Sequence, residues 1–385
     1  MKRKVFCAAL GIVFAAAFAF FVSSVQAEKI TLPTAFPLTH SQTTVAEDGI
    51  QDGPYVFWNG ERVHALYICQ GQKVEQTFDA RDSIQIPGFC NDSPLILTLT
   101  EAPPLPEPDT FDAASKICAV SDIHGNFKQM IRLLQENGII NDRNRWKWSD
   151  GHLIIVGDVF DRGEEVTEAL WFIHQLEKEA HRERGRVTFV LGNHEIMVLK
   201  GDLRYVHPKY QAVSRKLKIK IPDLYGPESE LGRWLRSKNV MVKINDILFV
   251  HGGISSELTS RAYSLHSINE MIRNSLDARD YTVQFNEELN LLYGNKGPLW
   301  YRGLVTESQG IPLAGEEEVN RFLAFYKANA VITGHTIVPT ITPSFGGRVY
   351  AIETGICEGS EGEVLVWEKG QFYRGDVHGR REKLK

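Results

Sequence analysis

The 385-residue chain is short of thiols, of net positive charge and of long apolar runs. It holds five cysteines, and no two stand in CxxC spacing, which argues against thiolate metal sites. The formal net charge is −5. Nonspecific nucleic-acid binding runs on neutralised phosphates, so an acidic balance speaks against a nucleic-acid partner. No internal repeat is visible, which removes solenoid architectures. Beyond the first residues no stretch is apolar enough for long enough to span a bilayer.

The single long apolar run is Val5–Val22, preceded by Lys2, Arg3 and Lys4 and followed by Val25-Gln26-Ala27. A positive n-region, an apolar h-region and a small-residue junction make a signal peptide, residues 1–27, with cleavage after Ala27. If retained, the same run would act as an anchor. Cleavage predicts a periplasmic or secreted protein with no stable membrane insertion, and the formal charge of −5 falls to −8 when the three basic residues leave. An oxidising compartment leaves Cys69 and Cys90 able to pair. Cys118, mid-strand, reads as a small buried hydrophobe.

Residues 28–108 read as a polar leader, a small β-rich domain and a linker. YVFW and VHALYIC flank Asn59-Gly60, a strong hairpin signal, and Ser83–Ile86 and Leu95–Leu99 are further strand candidates. The segment APPLPEP, Ala102–Pro108, marks a boundary. From 109 to 385 the texture alternates between strands and helices. Ile117–Val120, Leu153–Val156 and Val187–Leu191 are apolar strand patterns, with helical periodicity over Phe127–Asn137 and Val166–Glu179. That order predicts a largely parallel sheet and an α/β fold. Residues 197–245 read as an insertion with one helix near Glu230–Ser237. Its basic run, Lys209 to Lys220, reads as a solvated face. Small domain and alternating region are expected to fold separately, the first without supplying catalytic groups.

Five strands end in candidate ligands. Asp122 and His124 follow KICAV; Asp158, Asp161 and Arg162 follow LIIV. Asn193 and His194 follow VTFVL, His251 follows ILFV, and His335 follows VIT. A mixed set of Asp, His and Asn suits two first-row transition metals such as manganese, iron or zinc better than calcium. Asp122 and His124 alternate along an extended segment, so both reach one metal only if the strand end twists. Asp158 is the candidate bridge. Two ions sharing a hydroxide can clamp both the attacking and the leaving oxygen of an in-line displacement. Glu195, beside His194, reads as a structural acceptor. Trp300 and Tyr301 are candidates for a pocket wall.

In this order the motifs SDIHG, GDVFDRG, GNHE, HGG and GHT resemble the calcineurin-like metallophosphoesterases of the phosphoprotein phosphatase superfamily. The export signal and the GPLWYRGL loop are similar to the bacterial Shewanella-like protein phosphatases within it. The resemblance implies a β-sandwich of two mixed sheets flanked by helices. It also implies Asp122, His124 and Asp158 on one metal, and Asp158, Asn193, His251 and His335 on the other. His194 corresponds to the proton donor, Asp161 to the acid that orients it, and Arg162 to a phosphate-binding arginine; Arg302 is the choice for a second. Ser121 stands where eukaryotic relatives have glycine, and their SAPNYC segment is absent. The implied activity is phosphomonoester hydrolysis by a metal-bridging hydroxide, with a phosphoprotein as partner and phosphotyrosine favoured. Dinucleoside polyphosphate or nucleotide hydrolysis is the second enzymatic reading, and a binding protein with a relic metal site the third.

Overall fold

The computed structural model describes residues 47–80, 83–90, 96–278 and 286–385. The signal-peptide segment and its junction at Ala27 lie outside the described residues. Among those described, no helix is long and apolar enough to cross a membrane.

The chain opens with an antiparallel meander of β1 (Asp52–Asn59), β2 (Arg62–Cys69) and β3 (Gln72–Asp79). The hairpin of β4 (Ile84–Pro87) and β5 (Ile96–Leu99) comes next. A disulfide joins Cys69 to Cys90, closing a loop of sequence separation 21. After the proline-rich segment come β6 (Thr110–Phe111), β7 (Lys116–Val120), α1 (Phe127–Glu136), β8 (His152–Val156), α2 (Val166–Arg182) and β9 (Arg186–Val190). Four helices follow, the first leading into the insertion: α3 (Asn193–Lys200), α4 (Pro208–Leu217), α5 (Ile221–Leu224) and α6 (Glu230–Arg236). Beyond them lie β10 (Met241–Ile244), β11 (Ile247–Val250), α7 (Ser256–Ser260), α8 (Leu265–Ser275), α9 (Glu287–Tyr293) and α10 (Glu316–Tyr326). The chain closes with β12 (Ala330–Thr333), β13 (Pro343–Ser344), β14 (Val349–Ala351), β15 (Val364–Glu368), β16 (Gln371–Gly375) and β17 (Arg381–Lys383).

Two mixed six-stranded sheets, β17-β16-β15-β7-β8-β9 and β13-β14-β12-β11-β10-β6, face one another. Alternation along each strand builds this sandwich. Ile117, Ala119, Ile154, Val156 and Val190 of one sheet meet Val242, Ile244, Phe249 and Ile332 of the other in one apolar cluster. The intervening Cys118, Val120, Leu153 and Ile155 point the other way, into the layer shared with the helices. Burial on both faces explains why KICAV and LIIV are unbroken apolar runs. On the helix side α1 buries Met130, Leu133 and Leu134, and α2 buries Leu170, Ile173 and Leu176 among others. Strand register sets where the connecting loops begin. Val120 pairs with Ile155, Val156 with Val190, and Val250 with Thr333, so the parallel strands end together.

Several features were not legible in the sequence pattern. The polar strand β3 and the terminal hairpin β16–β17 carry weak alternation. The run from Lys209 is a helix and not simply a solvated face: Pro208 starts α4 at a position where its missing N–H costs nothing, and Lys209, Tyr210, Val213 and Leu217 are buried. The N-terminal sheet also shares its core with the rest of the chain. Tyr55, Val56, Val63 and Ala65 belong to the same apolar cluster as Leu170, Trp171 and Trp234. Trp171 Nε1 donates to the Pro54 carbonyl at 2.9 Å, and Trp58 Nε1 to Glu230 Oε2 at 2.8 Å.

The disulfide closes a loop that an unfolded chain would leave open, a constraint worth about 3 kcal/mol at this length. Replacing both Cys69 and Cys90 by alanine should therefore lower the unfolding free energy by about that amount. Denaturant titration of the variant against wild type under non-reducing conditions measures it; equal midpoints would show that the cross-link does not hold the sheet.

Candidate metal centre

Where the parallel strands end, the backbone leaves the extended region. Asp122 (φ 54), His124 (φ 46), Asp158 (φ 56), Asp161 (φ 70), Arg162 (φ 64) and His335 (φ 62) all adopt left-handed conformations. Such residues persist only where the surroundings over-determine them, and they cluster at functional sites. This is the twist that Asp122 and His124 require in order to face the same point. Their loop is zipped to the next one: Asp122, His124 and Gly125 donate backbone N–H groups to Gly157, Asp158 and Val159 at 2.9–3.0 Å.

Two motif glycines are there for close approach. A Cβ on Gly192 would lie 2.2 Å from Asp158 Oδ1, and one on Gly334 2.0 Å from the Ser121 hydroxyl. Neither contact is tolerable, so GNHE and GHT need their first residue bare.

Asp158 Oδ2 is the hub. It lies 3.1 Å from His251 Nε2, 3.6 Å from His124 Nε2 and 3.9 Å from His194 Nε2. Its other oxygen accepts the His194 N–H at 3.0 Å. Asp122 Oδ2 accepts from the Ser121 hydroxyl and from His335 N–H, leaving Oδ1 3.9 Å from His124 Nε2. His124 and His251 each donate Nδ1–H to a carbonyl, of Phe160 and of Val156, at 2.8 Å, so Nε2 of each faces the centre. Nδ1 held by a backbone acceptor is the usual arrangement of a ligating histidine. All ten nominated residues except Arg162 and Arg302 are buried, and the structure brings all ten to one place.

The donor set fits cations. Asn193 Oδ1 and Asp158 Oδ2 both approach His251 Nε2, at 2.9 and 3.1 Å, and His335 Nε2 is buried without a hydrogen-bond partner. Ligating atoms of Asp158, His251 and His335 lie within 4.8 Å of one another, as do those of His124, Asp158 and His194. Burial disfavours a charged His251, but Asp158 and Asp122 outweigh it and push its pKa up to about 9. A proton on His251 Nε2 would lie between these acceptors, and metal binding displaces such protons. Burial and Asp158 push Asp122 up, whereas the surrounding imidazoles hold Asp158 well below the carboxylate range against its own burial.

His194 is as near to Asp158 as Asp122 is to His124, so distance alone would admit it as a ligand. Asp161 sets it apart: Asp161 Oδ2 lies 2.6 Å from His194 Nδ1, fixing that proton and turning Nε2 toward the cavity. Burial lowers the His194 pKa, but Asp158 and Asp161 together raise it above the ordinary value.

Glu195 accepts four backbone N–H groups, from Asp158 (2.9 Å), Val159 (2.7 Å), Phe160 (3.1 Å) and Gly192 (2.7 Å). It binds the start of the Asp158 loop to the start of α3, which makes it the structural acceptor expected. Burial pushes its carboxyl up to about 7.

The centre opens into a cavity of about 850 Å³, lined among others by Arg162, Tyr205, Trp300, Arg302, Ile337 and Glu353. Arg162 donates from Nη1 to Cys357 Sγ at 3.6 Å, while its buried Nε has no partner. Arg302 is tied to the His335 carbonyl and to Thr336 Oγ1. Trp300 lines the wall, but Tyr301 is buried behind it, its hydroxyl on Glu318. Sequence reasoning passed over Glu353, a buried carboxyl whose Oε2 has no partner and which burial and the neighbouring Asp122 push well up. It stands two residues beyond the end of β14, and an acid at a strand end is the signal that marked the other loops.

Residues 115–339 match the model of the calcineurin-like phosphoesterases. A Schizosaccharomyces pombe protein is 31% identical over 65% of this chain and 76% of its own length. Shewanella-like protein phosphatase 1 of Plasmodium berghei is 29% identical over 63% and 67%. A cold-active protein-tyrosine phosphatase from a psychrophilic Shewanella superposes with a TM-score of 0.81 at 36% identity, covering 87% of this chain and 100% of that one. More distant is a symmetrical bis(5'-nucleosyl)-tetraphosphatase of Pasteurella multocida, 23% identical over 66% and 94%.

Glu195→Gln would turn an NH₂ toward N–H groups that need an acceptor. The Asp158 loop should loosen, and metal affinity should fall about 10–100-fold, as for other residues that orient ligands. Metal titration of the folded variant is the measurement; wild-type affinity would show that Glu195 does not set the loop.

Proposed function

The chain belongs to the calcineurin-like phosphoesterases and is a metal-dependent phosphoester hydrolase, and from that premise we propose that it is an exported dinuclear-metal phosphomonoesterase acting on phosphotyrosine in proteins. The observation that carries the reading is the pair of guanidinium groups at the mouth of the Asp/His cluster, with Arg162 Nε buried and unpartnered. An unsatisfied arginine donor beside candidate cation ligands suits a phosphoryl group, whose oxygens match the guanidinium fork.

Asp122, His124 and Asp158 would hold one ion, and Asp158, Asn193, His251 and His335 the other. The chemistry such a pair of divalent ions would supply there is a lowered pKa for the attacking water and neutralisation of charge on the phosphoryl oxygens. The chain's own groups do the rest. Arg162 and Arg302 orient the phosphoryl group, so that water attacks phosphorus opposite the leaving oxygen. As the bond from phosphorus to that oxygen breaks, His194 gives it the Nε2 proton, while Asp161 keeps the imidazole turned. The walls of Trp300, Tyr205 and Ile337 offer apolar surface to an aryl group. Likeness to the Shewanella protein-tyrosine phosphatase supports phosphotyrosine. A second reading, dinucleoside polyphosphate hydrolysis, is favoured by the tetraphosphatase relative and by the size of the cavity. Parallel measurement of kcat/KM for a phosphotyrosine peptide, a phosphoserine peptide and a dinucleoside tetraphosphate separates them, with the phosphotyrosine peptide expected to be fastest. A faster tetraphosphate would transfer the proposal to nucleotides.

Chelation should abolish turnover, with manganese, iron or zinc restoring it better than calcium. Asp158→Asn should lose both activity and metal. Elemental analysis checks this, and one ion per fully active chain would rule out the dinuclear scheme.

His194→Asn tests the proton donor. A phenol leaves with a pKa of about 10, whereas a serine alkoxide is far more basic and depends more on protonation. General acids contribute about 10²–10⁴-fold, so the variant should slow an alkyl phosphate most, phosphotyrosine less and a nitrophenyl ester least, with metal content retained. Equal losses on all three, or missing metal, would show that His194 has a role other than proton donor.

A further inference from the structure

The segment carrying Asp158, Asp161 and Arg162 is fastened at its far end by two side chains of α4. The Tyr210 hydroxyl accepts from the backbone N–H groups of Val166 (2.7 Å) and Thr167 (3.2 Å) and donates to the Glu164 carbonyl (2.9 Å). Those two N–H groups open α2, where no helical carbonyl can reach them. Lys209 Nζ donates to the same Glu164 carbonyl at 2.6 Å. Upstream, Arg162 N–H donates to the Tyr205 carbonyl at 2.9 Å. Thus Arg162 itself and the residues that follow it hang on the stretch that ends in α4.

Lys209 is itself held from the N-terminal sheet. Its ammonium lies 3.2 Å from Asp52 Oδ1 and 3.5 Å from Glu168 Oε1, and the Tyr55 hydroxyl donates to the other Asp52 oxygen. Asp52 and Lys209 are 3% and 7% exposed, so each charge is tolerated in the interior only because the other is there. Burial acts to discharge Lys209, but Asp52 and Glu168 outweigh it. Asp52 stands in β1, so the N-terminal sheet reaches through one lysine to a carbonyl two residues from Arg162. Asp161 and Arg162 are consecutive left-handed residues, a conformation that external contacts must maintain.

We propose that Asp52, Lys209 and Tyr210 are positioning residues through which the N-terminal β-sheet sets the Arg162 guanidinium for phosphate. This rests on the reading of Arg162 as a phosphate-binding group. The sheet then contributes to substrate affinity while supplying no group that touches the substrate.

Tyr210→Phe deletes one oxygen and keeps the ring. It should raise KM for an aryl phosphate and Ki for inorganic phosphate in parallel, by about 5–10-fold, the lower part of the range for coupled sites. Metal content should hold and kcat change little. Asp52→Asn should act in the same direction. A merely structural role would lower the melting temperature without moving Ki. Arg162→Ala is the reference: if it leaves Ki for phosphate unchanged, the reading of Arg162 fails. If it raises Ki while folded, metal-loaded Tyr210→Phe and Asp52→Asn do not, the positioning proposal alone falls. Coupling is reciprocal, so inorganic phosphate added to the wild-type protein should slow amide hydrogen exchange in β1 and α4. Unchanged exchange there, with phosphate bound, would overturn the proposal without any variant.

Discussion

One carboxylate oxygen, Asp158 Oδ2, organises the site, because three imidazole nitrogens from three separate strand ends converge on it within 3.9 Å. Around it the buried set is rich in acceptors, and those atoms would repel one another unless a cation or proton stood between them. The charge distribution shows the demand for positive charge: His251 is driven up to about 9 against its burial. A folded chain that holds this set together has a shape that cations complete. Everything outside the cluster can be understood as holding that oxygen still.

The holding is done mostly by backbone. Parallel register brings the strand ends level, and left-handed residues then turn the side chains inward. Glu195 gathers four N–H groups that the irregular loop would otherwise leave unpaired. An acid is suited to this task because an ionised carboxylate accepts from several donors and has no hydrogen of its own to place. Those bonds offset part of the penalty of burying it. Its neighbour His194, one residue away on α3, points into the cavity. A single helical turn therefore supplies the anchor of one loop and the group facing its chemistry.

The N-terminal sheet packs against the rest of the chain rather than standing apart from it. Its apolar residues complete the layer over α2, and its Asp52 reaches the end of the Asp158 loop through Lys209. A charged pair in such a place adds little stability of its own, since well-packed apolar groups would serve as well. What a charge pair adds is direction, fixing where a lysine and the carbonyl it binds must lie.

Sequence alone made the strand-end chemistry legible, since five apolar strands each lead within two residues to Asp, Asn or His and the five motifs keep their order. The sandwich strands were legible for the same reason, burial on both faces being written into KICAV and LIIV. Glu353 was missed although it follows VYAI, because its closeness to Asp122 arises only in the fold. Nor was α4 legible, since a helix with Lys209 buried looks solvated until a carboxylate from residue 52 is brought against it. The left-handed turns at Asp122, His124 and Asp158, and the meeting of the Asp158 oxygen with His251, belong to tertiary structure. They depend on strands distant in the chain ending at the same level, and only the folded sheets impose that.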